Sequence, residues 1–455
     1  MTFMKSALLG SASAMLAIVS ANAADLPSRK SAPVEYVKVC NAYGSGFFYI
    51  PGTDTCLKIG GRVRADYLYN AARTIYNGVS AAGVPTVSEA TKGQSTWGAR
   101  ARGQLNVDAR TRTSFGTVQT AFQLRMDRTT GVYANSAAAS ATSTGSTLAL
   151  AFIRFAGLTA GLARDNFVFM STNLYHDAHF GAVPNNAVQL AYTATFGGGM
   201  SATVALQDRT YSTRGGIASS AIAPAAVVPY EVYNSVPQIN ANFRVDQAWG
   251  SAQLSGAFST AKVNTALNTA AFSKGAYAIG AGLKINLPML AKGDSLSITA
   301  AYANGMTEYT SFYSYASDSR NSGGYVTGRP SYIIKSAVGG TTATGIENVK
   351  SWNVAAVFEH YWAPQYRSNL FASYAAIKAP TFSKAAAWNG KDRFGDMKLF
   401  DVGAQFAWLP TRGFEIGAEV VYTRASQDIF RDALGAKSSK TGSGVSARLR
   451  VQRDF

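Results

Sequence analysis

The chain has 455 residues, 47% of them hydrophobic and only 15% charged, with 43 glycines against 13 prolines. Hydrophobicity at that level excludes a disordered chain, and the lack of unbroken apolar runs of ~18 or more residues excludes a bundle of membrane helices. The formal charge of +17 raises nucleic acid as a partner, yet no patch of Lys and Arg interleaved with stacking aromatics appears, so no nucleic acid is expected.

At the N-terminus Lys5 supplies a positive charge, residues 7–20 form a short apolar run, and Ala21-Asn22-Ala23 fits a small-residue cleavage site. The expectation is a secretory signal peptide over 1–23, cut between Ala23 and Ala24, because the apolar run is shorter than the ~20 residues a spanning helix needs. Those residues carry one lysine and no acid, so +17 less one leaves a mature charge of +16. The two cysteines, Cys40 and Cys56, form a close pair in a chain expected to be exported, and read as a structural disulfide. Closing such a loop contributes about 3 kcal/mol in the chain-entropy model. Residues 24–455 are expected to form one domain, with 24–56 as an N-terminal segment and 57–455 as its body.

Beyond the export signal the pattern alternates with period two. In LKIGGRVRADYLYN (57–70), Leu57, Ile59, Val63, Ala65, Tyr67 and Tyr69 share one face, and Lys58, Arg62, Arg64 and Asp66 the other. Residues 97–108 repeat it, with Ala99, Ala101, Leu105 and Val107 against Arg100, Arg102, Gln104 and Asn106. Further strands are predicted at 114–126, 148–156, 159–165, 187–196, 200–208, 237–246, 251–260, 276–287, 295–304, 351–362, 367–378, 398–408, 414–424 and 445–455. That makes sixteen in all. Their connections alternate between short ones, such as 109–113, 197–199 and 409–413, and longer ones at 71–96, 127–147, 166–186, 209–236, 261–275, 305–350, 379–397 and 425–444.

Alternation of this kind predicts an all-β fold, a 16-stranded antiparallel transmembrane β-barrel. Lipid offers backbone groups no hydrogen-bond partner, so every strand must pair on both sides. An even strand number, tight periplasmic turns and long external loops form the bacterial outer-membrane pattern. Sixteen strands enclose a lumen too wide for side chains to fill, so it holds water. Trp97, Phe115, Tyr192, Phe196, Trp249, Trp352, Trp362, Phe406, Trp408 and Phe455 lie near strand ends, where interfacial aromatic girdles belong.

The segments VCNAYGSGFFYIPGTDTCLKIGGRVR (39–64), AFIRFAGLTAGLA (151–163) and the final LRVQRDF resemble the general porins of alphaproteobacterial outer membranes. The resemblance implies a homotrimer that passes ions and small hydrophilic solutes by passive diffusion. It further implies an inward-folded third external loop, and a terminal aromatic, here Phe455, that the barrel-insertion machinery reads. Contact with outer-membrane lipid and lipopolysaccharide follows from the expected location, and no cofactor is expected.

The third long connection, 166–186, is therefore the candidate constriction loop, with Asp165 at its root and Asn173, His176, Asp177 and His179 within it. Facing it should stand a basic wall of Lys58, Arg62, Arg64, Arg100, Arg102, Arg125, Arg154, Arg448 and Arg450, on strands consecutive around a closed ring. Acids in the lumen are expected elsewhere, at Glu359, Asp401, Glu415 and Glu419. Separated signs across a narrow aqueous gap create a transverse field, and the excess of arginine predicts a weak anion preference.

Other chemistry is less well served. His176-Asp177-Ala178-His179 lacks a further firm ligand for zinc, so no metal is expected. Gly280-Ala281-Gly282 lacks the third glycine and the helix of a nucleotide-binding turn. With three histidines, His176, His179 and His360, no catalytic constellation is legible. A solute-specific channel is the nearest alternative to a general one, and an outer-membrane enzyme comes third.

Overall fold

The computed structural model describes residues 38–70, 74–79, 85–89, 96–134, 142–169, 173–175, 186–208, 216–219, 230–233, 236–265, 271–310, 330–336, 343–379, 393–431 and 436–455. The expected signal segment with Ala23 and Ala24, and the loop residues His176, Asp177 and His179, lie outside them.

Sixteen strands form the body: β1 (Thr55–Asn70), β2 (Trp97–Thr113), β3 (Gly116–Thr130), β4 (Thr142–Phe155), β5 (Leu158–Arg164), β6 (Asn186–Gly197), β7 (Met200–Gln207) and β8 (Gln238–Gln247). They continue as β9 (Gly250–Thr265), β10 (Ala271–Asn286), β11 (Ser295–Asn304), β12 (Lys350–Ala363), β13 (Tyr366–Lys378), β14 (Arg393–Thr411), β15 (Phe414–Arg431) and β16 (Ala436–Asp454). Each pairs antiparallel with its sequence neighbours, and β16 returns to pair with β1 from Arg62↔Asp454 to Asn70↔Ser446, so the sheet closes. All sixteen predicted strands are present.

The turn predicted at 109–113 is corrected. Strand β2 runs on to Thr113, and the chain reverses at Ser114 and Phe115. Arg110 thus joins the face that carries Lys58 and Asp108, opposite Cys56 in register. The run of Arg110, Thr111 and Arg112 reads as a polar loop, but the two arginines belong to the inward face of an alternating strand and Thr111 to the outward one.

Polarity is inverted relative to a soluble sheet. Val63 is 61% and Leu254 65% exposed on the outer surface, whereas Asp66, Asn240 and Asp401 are fully buried on the inner one. Trp97, Phe115, Trp362 and Phe406 are likewise exposed, as interfacial aromatics must be. Gly413 closes the turn before β15 with φ +74, a left-handed backbone that glycine adopts without strain, and its carbonyl accepts the Asp454 N–H at 2.7 Å.

The seam between β16 and β1 is stapled at its lower end. Gly61 and Phe455 exchange both backbone hydrogen bonds, at 2.9 and 3.0 Å, and Arg62 makes a bidentate pair with Asp454 at 2.5 and 3.0 Å. Below Gly61, β1 outruns β16 and takes the short strand Phe48–Tyr49 as partner instead, with Phe48↔Leu57 and Tyr49↔Cys56. The Cys40–Cys56 disulfide is formed and ties this N-terminal segment to β1. Cys40, Cys56 and Phe47 make a small buried cluster with Tyr43 and Tyr49 packed on it. Cys56 is therefore part of the first barrel strand.

A side chain at Gly61 would meet the Gln104 carbonyl and the Phe455 ring, each at 2.5 Å. Gly61→Val is expected to displace the ring and weaken the seam by about 1–3 kcal/mol, the usual cost of overpacking. The check is a lower temperature for loss of the folded, heat-modifiable band on electrophoresis; an unchanged temperature would refute the role given to this contact.

Candidate functional site: the loop across the lumen

The segment after β5 leaves the wall and crosses the barrel interior. Its root is Asp165, whose Oδ1 accepts the Phe167 N–H at 2.8 Å and Asn240 Nδ2 at 2.8 Å. Gln207 Nε2 reaches the same oxygen at 3.3 Å, and Tyr309 donates its hydroxyl to Oδ2 at 2.9 Å. Tyr309 comes from the 3-10 turn Thr307–Thr310 in the connection from β11 to β12, so two external connections meet at one carboxyl group. Burial pushes the Asp165 carboxyl up, while hydrogen bonds from Phe167, Tyr309, Gln207 and Asn240 oppose the shift.

Two phenylalanines then lie down on the inner wall. The carbonyl of Phe167 accepts Ser255 Oγ at 2.9 Å, and that of Phe169 accepts Arg244 Nη1 at 3.1 Å. The rings occupy space that exists because β10 carries glycine on its inner face. A Cβ on Gly280 would sit 2.9 Å from the Phe167 ring, and one on Gly282 would overlap the Phe169 ring. The Gly-Ala-Gly run that resembles a poor nucleotide motif is thus a docking groove for the loop. Sequence reasoning missed it because it searched those glycines for a turn, whereas alternate glycines in a strand also mark a close approach.

Past 170–172 the loop reaches the opposite side. Asn173 donates Nδ2 to Glu359 at 2.8 Å, and its carbonyl accepts Gln405 Nε2 at 2.8 Å. Leu174 fills an apolar spot on the inner wall made by Ala355, Val357, Phe371 and Val421. Tyr175, 2% exposed, is clamped by both signs of charge. Its N–H donates to Glu419 at 2.7 Å and its hydroxyl to Glu415 at 2.6 Å. Its carbonyl accepts Arg448 and Arg450, the latter at 3.2 Å, and the Arg450 guanidinium lies 4.2 Å from the ring centroid. Burial and the Glu415 carboxylate both push the Tyr175 phenol up, so it stays a donor. Gly417 leaves room for the phenol, since a Cβ there would overlap the hydroxyl.

The nine predicted basic residues lie on one wall, from β16 through β4, and each is hydrogen-bonded or ion-paired. Asp66, wholly buried, accepts Arg100 at 2.6 Å and Arg450 at 2.7 Å. Arg102 pairs with Asp127 at 2.6 Å and Arg62 with Asp454 at 2.5 Å. Arg64 donates to Gln452 at 2.7 Å, Arg125 to Gln104 and Gln123 at 3.2 and 2.6 Å, and Arg154 to Thr159 at 3.3 Å. Lys58 donates to the Ser45 carbonyl at 3.2 Å. The acids predicted elsewhere lie on β12, β14 and β15. There Glu359 and Glu415 flank Arg367, Asp401 bonds Ser373 and Thr423, and Glu419 stands beside Arg448 in register. Tyr133, from the 3-10 turn Gly131–Ala134, packs under Arg100 and Arg448 at 5.0 and 5.5 Å, a second inward contact that the sequence pattern did not reveal.

Gly282→Leu is expected to evict Phe169 and free the near half of the loop; Tyr175→Ala should free the far half. Both variants should show raised and noisier single-channel conductance, the former without loss of folded barrel. A conductance indistinguishable from the unaltered protein in both would remove the loop from the constriction.

The family model described as the Porin subfamily matches residues 25–448. Porin Omp2b of Brucella suis biovar 1 is 31% identical over 257 residues, which are 54% of this chain and 63% of that protein. A second Brucella suis Porin Omp2b is 34% identical over 207 residues, 45% of this chain and 51% of its own length. The chain thus spans less than two thirds of the length of the curated relatives it matches. Among solved structures, the outer membrane channel DcaP of Acinetobacter baumannii has the same fold, with a TM-score of 0.57, 16% identity, and coverage of 90% of this chain and 99% of that one. A closed sixteen-stranded barrel with an apolar outside and a loop laid across a polar inside is the architecture of a multi-pass outer-membrane β-barrel, and this chain belongs to the porin subfamily.

Proposed function

We propose that the protein is a channel rather than an enzyme, and that ions and small hydrophilic solutes diffuse passively through its lumen. The observation that carries this reading is the loop from Asp165 to Tyr175, fastened at both ends across a barrel whose inner face is polar. A solute must pass between that loop and the arginine wall. Arg62, Arg100, Arg102 and Arg450 are matched by carboxylates at hydrogen-bond distance, while Lys58, Arg64, Arg125 and Arg154 donate to neutral oxygens, so the wall offers a dense array of fixed dipoles with an excess of positive charge. That balance supports a weak anion preference.

We further propose a homotrimer. Strands β5 and β7 have seven and eight residues, fewer than the ~9–11 a tilted strand needs to cross a bilayer, so that side is better covered by protein than by lipid. Ala99, Ala101 and Gly103 on the outer face of β2 would let another barrel approach closely. The remaining circumference, rich in exposed Val, Leu and Trp, suits lipid and the lipid anchor of lipopolysaccharide. Residues 1–23 are read as the export signal, and Phe455, exposed beside Gly61, as the aromatic that the insertion machinery reads.

Planar-bilayer recording tests these readings together. Stepwise ohmic openings grouped in threes are expected, and a protein without conductance would refute the channel. Arg64→Gln and Arg100→Gln should each lower the anion-to-cation permeability ratio about twofold, as one charge acting over several Å in a water-like dielectric would. Unchanged reversal potentials in both would remove the basic wall from selectivity.

A further inference from the structure

The outer surface of β12 to β15 carries a band of cations that the pore does not use. Lys350, Lys378, Lys398 and Arg424 are all exposed, one on each of these four consecutive strands. Their chain neighbours Ser351, Ile377, Met397 and Thr423 are buried on the inner face, so alternation turns the four cations outward. Among the described residues none of the four has a hydrogen-bond or ion-pair partner, in contrast to the arginines of the inner wall.

The band is level. Lys350 stands directly opposite Lys378, whereas Lys398 is opposite Ala376 and Arg424 opposite Phe400, two residues lower at each step. The periplasmic ends of the strands step the same way: Tyr366 is opposite Trp408, but β14 runs three residues further, to Thr411, before it turns. Strand tilt thus brings the four cations to one height. Each lies towards the end of its strand that leads into a long external connection. Next below them on the same face come Trp352, Tyr374, Phe400 and Tyr422, with the first two rings 5.3 Å apart, and then exposed Val354, Val402 and Val420. Aromatics of this kind mark the headgroup level of a bilayer, so the cations stand among the headgroups of the external leaflet.

We infer that this band is a binding site for the phosphate groups of the lipopolysaccharide headgroup. Opposed residues on neighbouring strands lie roughly 5 Å apart and diagonal ones about 7–8 Å, so the band reaches beyond a single phosphate and fits a headgroup that carries more than one. Ammonium and guanidinium groups form charge-assisted hydrogen bonds with phosphate oxygens. Two acids share the face, Asp396 and Asp428, and both stand nearer the external end than Lys398 and Arg424 respectively; Asp396 accepts the Ala379 N–H at 3.0 Å. The cations therefore remain in excess at the level of the band. Strand β5 lies half the ring away from β13, so the subunit contact proposed above leaves the band open. The inference rests on the lipopolysaccharide contact of the preceding subsection and deepens it from acyl packing to a charged site.

The test is native mass spectrometry of the whole folded protein in detergent, titrated with bis-phosphorylated lipid A, the lipid anchor of lipopolysaccharide, or with the same lipid A after phosphatase treatment. The phosphorylated form is expected to bind saturably. Lys350→Gln, Lys398→Gln and Arg424→Gln should each raise its half-saturating concentration about threefold, and all four cations changed to glutamine about tenfold or more. The dephosphorylated form should bind the unaltered protein as weakly as the phosphorylated form binds that fourfold variant. All variants should keep the heat-modifiable folded band and the unaltered single-channel conductance, because the four side chains lie outside the pore. Equal binding of the two forms, or full binding by the fourfold variant, would overturn the phosphate site and leave the acyl contact standing. Tighter binding of phosphatidylglycerol than of phosphorylated lipid A would overturn it in favour of a phospholipid site. Failure of both lipid A forms to bind would overturn the lipopolysaccharide contact itself.

Discussion

Every feature of this molecule depends on one constraint: a backbone hydrogen bond has no substitute in lipid. The pairing of β16 with β1 satisfies it, leaving no open edge around the ring. Once the ring is closed, alternation forces every second side chain outward and the others inward. The inward set is then polar because it meets water, and the outward set apolar because it does not. The seam also sets the lower limit of the ring, since β1 outruns β16 below Gly61 and recruits Phe48–Tyr49 as its partner.

The interior is organised by a second requirement, that a loop lying inside a barrel must satisfy its own backbone. The described residues of the loop, 165–169 and 173–175, take partners from side chains of the wall. Asn242 and Ser255 supply donors at one end, and Glu419, Arg448 and Arg450 grip one residue at the other. Tyr175 is held through N–H, C=O and hydroxyl at once. An acidic group beside a cationic pair can clamp a peptide in this way only where the two walls adjoin, at β15 and β16.

Some of this was legible in the sequence and some was not. The strands were legible because period two survives lipid: Ile59, Val63 and Tyr67 alternate with Lys58, Arg62 and Arg64 whatever the tertiary detail. The turn after β2 was misplaced because Arg110 and Arg112 look like loop residues until the lumen is known to be wet. The root and latch of the loop were partly legible, through Asp165 and Asn173. Phe167, Phe169 and their glycine sockets were not, because a socket is a relation between strands 110 or more residues downstream and the loop that fills them.

The sequence by itself determined the class of structure: strand number, which face meets lipid, and the Cys40–Cys56 pair. These are local or periodic properties, written into spacing and composition. Only the tertiary structure decided which arginines pair with which acids and where the loop crosses. It also decided that Gly280, Gly282 and Gly417 matter because they have no side chain. Asp66 and Arg450 are 384 residues apart in the chain, yet they are bound at 2.7 Å because the ring closes. No local pattern encodes such a contact, because its existence depends on every intervening strand having found its register.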